Sequence, residues 1–420
     1  MQTQESILSV VSELSRKYPE AYSFSLGRPN PEIYTRLDLE HYLSVYKNFL
    51  RNELKYDDEK ILENIYTYGP SQGVINTHVA KWLKNDEHIS ATEKDIIITN
   101  GCQEAYNLVL LHELRQHDEH VLIIEPSYFG FSDCVAVLDK PCIKISVDDV
   151  SDSDGKFNFE LLHGLIKEFQ EQSKKIKVIY INPDFNNPMT YHLSNDEKAS
   201  LLSVCHHWGI KIIEDSTYSC FYYNEIKPKS IKTLDDKGLV YYIGSFSKTL
   251  CPSLRLGYLV VSAHSRTTFD NLLHIKDHTS LSSSALSQHV VAGFLIEHKY
   301  SLEKWIRPIR DEYRERRDAM LHVLEKELNT TSASWITPVG GFFVYIRLPQ
   351  HIDITALITC AEIYQVTFLP VNYYLHGNKQ RIYGMRLAFS YYPPLAIAEG
   401  TKRICRFLKD RLLNQENFSH

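Results

Sequence analysis

The chain has 420 residues, a length that accommodates two to three domains at roughly 150 residues each. Hydrophobic residues make up 43% and charged residues 23%, which excludes wholesale disorder, and 17 Gly with 16 Pro exclude a collagenous or linker-dominated chain. A net charge of −6 speaks against a dedicated nucleic-acid binder.

The opening Met1-Gln2-Thr3-Gln4-Glu5-Ser6-Ile7 has no basic region leading into an apolar run, so no secretory signal is read there. No stretch of 18 apolar residues occurs, and no membrane span is expected. The eight cysteines are scattered without a CxxC pair, the usage of reduced thiols in a cytoplasmic protein. From Lys94 to Ser262 short apolar runs alternate with helical stretches such as Gln103–Gln116 and Asn195–Trp208. The runs are 96–99, 121–124, 178–181, 210–213, 240–243 and 258–261. They are β-branched-rich and do not alternate, as strands covered on both faces should be. This predicts a largely parallel sheet between helices, α/β in class. After Ile296 the pattern changes to a long charged helix over 297–328, strand-like pieces at 341–346, 365–369 and 385–389, and an amphipathic helix over 395–413. Residues 66–296 are therefore expected to form a large domain. Residues 297–420 would form a smaller α+β domain, joined by the N-terminal segment 1–65.

Ligands of parallel α/β sheets sit at the carboxyl ends of the strands. The first run ends in Thr99-Asn100-Gly101-Cys102-Gln103, a glycine turn opening a helix, whose free N–H groups suit an anion. Later runs end in Ser127-Tyr128, in Asn182 with Asn186-Asn187-Pro188, in Asp215 with Tyr218, and in Ser245-Phe246-Ser247-Lys248 followed by Arg255. A lysine in a partly dry pocket near an arginine has a depressed pKa and forms a Schiff base with an aldehyde. An aspartate opposite can keep a pyridine nitrogen protonated, and serines, an arginine and a helix N-terminus together neutralise a phosphate.

The segment Ser245-Phe246-Ser247-Lys248-Thr249-Leu250-Cys251-Pro252-Ser253-Leu254-Arg255-Leu256-Gly257 resembles, nearly throughout, the lysine motif of the class I/II aminotransferases. These are fold-type-I pyridoxal-phosphate enzymes, and the subgroup resembled contains 2-aminoadipate and aromatic aminotransferases. The resemblance runs from about Ser23 to Leu408 and implies a large domain with a mostly parallel seven-stranded sheet and a smaller α+β domain. It implies pyridoxal 5'-phosphate held by Lys248 as an internal aldimine, with Asp215 on the ring nitrogen and Tyr218 and Asn187 on the ring hydroxyl. Tyr128 would stack on the ring. Ser245, Ser247, Arg255, Cys102 and Gln103 would hold the phosphate. Tyr68, in Tyr66-Thr67-Tyr68-Gly69-Pro70, would reach the phosphate of a neighbouring subunit, which implies a homodimer with shared active sites. Arg386 would bind the substrate α-carboxylate, with Gly27 and Asn187 beside it. The expected reaction moves an amino group between an L-amino acid and a 2-oxo acid.

Competing expectations are a cyclase, a β/γ-eliminating enzyme or an oxidase on the same fold, and, outside enzymes, a cofactor-sensing regulator. The loop Asn187-Pro188-Met189-Thr190 lacks the glycine that usually ends this motif, which suggests a differently shaped loop. Cys205-His206-His207 is read as structural rather than metal-binding, and no metal is expected. The basic run Arg307, Arg310, Arg314, Arg316 and Arg317 is read as a solvated helix face. Of the 27 tyrosines, Tyr34, Tyr222, Tyr223 and Tyr373 are expected on the substrate side.

Overall fold

The apolar runs of the central region become strands of one sheet because helices cover both of its faces. The computed structural model describes residues 7–152, 155–262, 265–374 and 382–413. Met1–Ser6 and the residues after 413, assigned from sequence to the N-terminal segment and the small domain, lie outside the described residues. After a two-residue strand β1 (Tyr22–Ser23) come β2 (Ile96–Thr99), β3 (Glu119–Glu125), β4 (Cys142–Ser146), β5 (Lys175–Ile181), β6 (Lys211–Asp215), β7 (Val240–Ser245) and β8 (Gly257–Val260). Strands β2 to β8 form a seven-stranded sheet in the order β2-β8-β7-β6-β5-β3-β4. Strand β8 is antiparallel to β2 and β7, and the other pairings are parallel. The carboxyl ends of β2, β3, β5, β6 and β7 therefore open on one edge, as the sequence predicts.

Alternate residues of each strand enter opposite cores. Val121, Ile123 and Tyr180 pack with Leu108, Val109 and Phe131, whereas Leu122, Ile124 and Ile179 pack with Leu162, Ile166 and Leu201. Burying each such side chain contributes about 1.5–3 kcal/mol, which is what makes the sheet a rigid platform for its loops. The edge strand β4 is different. Ile143 and Ile145 are buried while Cys142, Lys144 and Ser146 are half-buried, so its sequence alternates and offers no apolar run.

Beyond the central sheet lie β9 (Ser334–Trp335), β10 (Phe343–Arg347), β11 (Val366–Thr367), β12 (Leu369–Pro370) and β13 (Gly384–Ala388). Four of them form an antiparallel sheet in the order β12-β13-β10-β9. Strand β11 instead pairs with β1 through Tyr22↔Val366 and Ser23↔Thr367, tying the N-terminal segment to the C-terminal third. The N-terminal helix Leu39–Asn52 also packs on the helix Ala285–Glu297, with the Tyr42 and Phe294 rings 5.0 Å apart. Among the described residues no helix is long and apolar enough to cross a membrane.

The structure corrects three sequence expectations. The long helix starts at Glu303 rather than 297, because Lys299 and Tyr300 take left-handed backbone conformations that end the preceding helix. The basic run on that helix is only partly a solvated face: Arg307 is exposed, but Arg310 and Arg316 are buried. The Arg310 guanidinium is buried over the Tyr222 ring at 3.9 Å and pairs with Glu303 at 2.5 Å. Arg316 is buried and donates to the Ser390 carbonyl at 2.8 Å, and Arg317 donates to the Pro338 carbonyl at 2.8 Å. Arginine suits such packing because its planar, weakly hydrated head stacks on aromatics.

The third correction concerns the four tyrosines. Tyr223 is buried and donates to the Gly341 carbonyl at 2.5 Å, and Tyr222 lies under Arg310. Tyr34 donates to the Pro29 carbonyl at 3.5 Å, and Tyr373 packs near His351. None of them lines the cavity described next.

Candidate active site

The strand-end loops converge on one cavity of about 360 Å³ at the carboxyl edge of the sheet. Its walls include Gly27, Cys102, Gln103, Tyr128, Asn187, Asp215, Tyr218, Ser245, Ser247, Lys248, Arg255 and Arg386. The expected site residues are thus brought together, with the exception of Tyr68, whose side chain lies outside this cavity at 86% exposure. Neighbours to which the sequence reading gave no role also line it, among them Tyr106, Thr217, Phe129 and Phe343.

One end is built for an anion. Gly101 precedes the helix Cys102–Glu113 with φ 78° and ψ −177°, a conformation open essentially to glycine alone. A Cβ placed there would sit 3.1 Å from Arg255 Nη2, so the missing side chain leaves room for the guanidinium against the helix N-terminus. Ser245 and Ser247 stand on the adjoining turn, where the Ser247 N–H donates to Ser245 Oγ at 3.1 Å. Burial, then the charge of Asp215, push the Cys102 thiol up to about 12. That cysteine remains a neutral thiol, with Sγ 3.4 Å from Thr217 Oγ1.

Lys248 follows β7 and donates from Nζ to the Gly27 carbonyl at 3.0 Å. Burial, then the positive charge of Arg386, lower its ammonium to about 8. Gly27 can approach this closely because a Cβ on it would fall 2.2 Å from the Phe343 ring. Asp215, at the end of β6, accepts at Oδ2 from the hydroxyls of Tyr106 (2.6 Å) and Tyr180 (2.7 Å). Its Oδ1 accepts from the Thr217 hydroxyl (2.6 Å) and N–H (3.2 Å). The Asn182 amide donates to the Asp215 carbonyl at 2.6 Å and accepts the Asn187 N–H at 3.1 Å, linking two strand ends.

Arg386, from β13, is buried over the Phe343 ring at 4.2 Å. It donates from Nη1 to Asn187 Oδ1 at 2.6 Å and from Nη2 to the Ser25 carbonyl. The N-terminal segment, the Asn187 loop and the small sheet therefore meet at one guanidinium. In that loop Thr190 takes φ 62°, so the position where the motif usually has glycine keeps a glycine-type backbone despite its β-branched side chain. Tyr128 follows β3, and its ring occupies the space that a Cβ on Gly130 would enter. Tyr218 packs edge-on to Phe342 and Phe343. Elsewhere Cys205 is buried while His206 and His207 are exposed, so the three do not converge.

These donors fit pyridoxal phosphate: an amine of depressed pKa, a buried carboxylate, and a cradle of backbone N–H groups, hydroxyls and a guanidinium at the opposite end. A fold-type-I pyridoxal-phosphate enzyme is the class that this sheet and cavity define. The profile described as "Aminotransferase class I and II" matches residues 46–385, and the chain belongs to that family. It is 31% identical over 412 residues to an (S)-3,5-dihydroxyphenylglycine transaminase of Amycolatopsis orientalis, covering 97% of this chain and 92% of that one. It is 30% identical over 359 residues to an aromatic-amino-acid aminotransferase of Thermococcus litoralis, covering 84% and 82%. Among solved structures, kynurenine aminotransferase of Pyrococcus horikoshii in complex with PMP superposes with a TM-score of 0.82 at 29% identity, covering 98% of this chain and 96% of that one. The protein is a pyridoxal-phosphate-dependent aminotransferase, and its substrates are amino acids and 2-oxo acids.

Proposed function

We propose that amino transfer is carried by Lys248, Asp215 and Arg386, with Asn187 and Tyr218 on the ring hydroxyl of the cofactor and Tyr128 against its face. The single observation that carries this reading is a lysine of depressed pKa sharing one cavity with a buried carboxylate and a buried guanidinium. When bound, the cofactor supplies an electron sink for the bond pair released at the substrate Cα. Arg386 takes the α-carboxylate as a planar fork, exchanging its contacts to Asn187 and Ser25. Lys248 Nζ would hold the cofactor and, as the amine of depressed pKa in the cavity, would accept and return the proton at the substrate Cα. Asp215 keeps the ring nitrogen protonated. Cys102 and Gln103, through the helix N-terminus, join Ser245, Ser247 and Arg255 on the phosphate.

The apolar walls Leu26, Phe129 and Phe343 suit a bulky uncharged substrate side chain, because the cavity's cations Lys248, Arg255 and Arg386 are already engaged. The names of the two curated relatives point to aromatic donors as well. Tyr66 and Tyr68 are 81% and 86% exposed, large aromatic surfaces that a second copy would cover, and Tyr68 would then serve the neighbouring phosphate. We read the protein accordingly as a cytoplasmic homodimer, with 66–296 as the cofactor domain and 1–65 joined to 297–420. Tyr68→Phe tests the shared site. Cofactor affinity falls with the dimer intact if a partner phosphate uses that hydroxyl, and sedimentation showing only monomers overturns the assembly.

A further inference from the structure

The geometry points to Tyr106, seconded by Tyr180, as a positioning residue that holds the Asp215 carboxylate aimed for the cofactor ring nitrogen. The inference rests on the reading that Asp215 meets that nitrogen. Tyr106 lines the cavity, and it stands four residues along from Cys102, on the same face of the helix whose N-terminus forms the anion cradle. One helix thus addresses both ends of the site, the anion through its backbone and the carboxylate through a hydroxyl. Tyr180 reaches the same oxygen from β5 inside the sheet.

The four donors to Asp215 are a matched set. Two hydroxyls meet Oδ2, and a hydroxyl and an N–H meet Oδ1. Donors on both oxygens fix the orientation of the carboxylate plane. Both tyrosines are fully buried, and burial together with the Asp215 charge keeps their hydroxyls protonated, so they remain donors. Their aim is set by ring packing. Phe131 stacks on Tyr180 at 3.8 Å and meets Tyr106 edge-on at 5.4 Å, while the two tyrosines meet edge-on at 5.8 Å. Both buried hydroxyls thus satisfy their donor on the same oxygen of a carboxylate that lines the cavity.

The test measures how well the cofactor-free protein distinguishes pyridoxal phosphate from the analogue whose ring nitrogen is replaced by C–H. Equilibrium affinities of both are measured in wild type, Tyr106→Phe, Tyr180→Phe and Asp215→Asn. We expect wild type to prefer the nitrogen-bearing ring and each Tyr→Phe variant to lose about tenfold of that preference, the range of one hydrogen bond to a charged group. A purely structural tyrosine would weaken both ligands equally. If Asp215→Asn abolishes the preference while both Tyr→Phe variants keep or increase it, the inference fails and the reading of Asp215 stands. If wild type shows no preference, the reading of Asp215 fails first. Should Tyr106→Phe not fold, as judged by its thermal transition, Tyr180→Phe decides the same question from the sheet side.

Discussion

The depressed pKa of Lys248 can be perturbed one cause at a time. Its ammonium is lowered from 10.5 to about 8, first by burial and next by Arg386. A shift of that size corresponds to about 3 kcal/mol against the charged form. At pH 7.5 about a quarter of the amines are then neutral, against about one in a thousand for an ordinary lysine. Arg386→Gln removes the like charge and leaves the burial. Loss of one like charge in a partly dry site lets the amine climb by about one unit, which cuts the neutral fraction at pH 7.5 roughly eightfold. Stopped-flow absorbance of the cofactor-free protein reacting with pyridoxal, followed from pH 6 to 10, reads this directly. We expect an inflection near 8 in wild type, displaced upward in Arg386→Gln, with equal plateau rates at high pH. A wild-type inflection near 10, or a variant inflection that stays or falls, would refute the reasoning.

Three further outcomes follow from the same geometry. Gly101→Ala forces a side chain onto a φ of 78° and sets its Cβ 3.1 Å from Arg255 Nη2. Cofactor affinity by equilibrium dialysis should fall at least about tenfold, because backbone strain of about 1–3 kcal/mol adds to the displaced guanidinium. Arg386→Gln should also raise the half-saturation for an amino acid about a hundredfold, the scale of two charge-assisted hydrogen bonds, and leave the affinity for an amine without a carboxylate unchanged. The buried His78 and His289 are both lowered by burial to about 4, and neither His289 ring nitrogen has a hydrogen-bond partner among the described residues. Their neutral forms favour the fold, so the stability they confer is complete above about pH 6.5 and drains away as pH falls toward 4. Urea titrations should show each costing about 2 kcal/mol between pH 7 and 5, and His289→Leu should remove its share.

Much of the site was legible because a parallel sheet presents its ligand-binding residues directly after its apolar strands. Tyr128 and Lys248 each stand within a few residues of an uninterrupted apolar run, and Asp215 follows one broken only by Lys211. Strand β4 escaped that logic because an edge strand buries only alternate residues. Tyr106 and Tyr180 escaped for another reason. A tyrosine within a buried helix or strand reads as packing, and only three-dimensional convergence on Asp215 reveals its hydroxyl as functional. The i, i+4 spacing of Cys102 and Tyr106 was the available signal. Arg310 and Arg316 were misread because a basic run with interspersed carboxylates looks solvated, whereas aromatic rings and a backbone carbonyl cover them here.

The most direct test of the account is the half-reaction at Lys248. The cofactor-loaded protein is mixed with an excess of an aromatic L-amino acid, and absorbance and released products are quantified together. The account predicts about one equivalent of 2-oxo acid per protomer, conversion of the cofactor to its aminated form, full reversal by a second 2-oxo acid, and none of this in Lys248→Ala. Release of ammonia, peroxide or a cyclic product in place of the 2-oxo acid, or an undiminished half-reaction in Lys248→Ala, would contradict it.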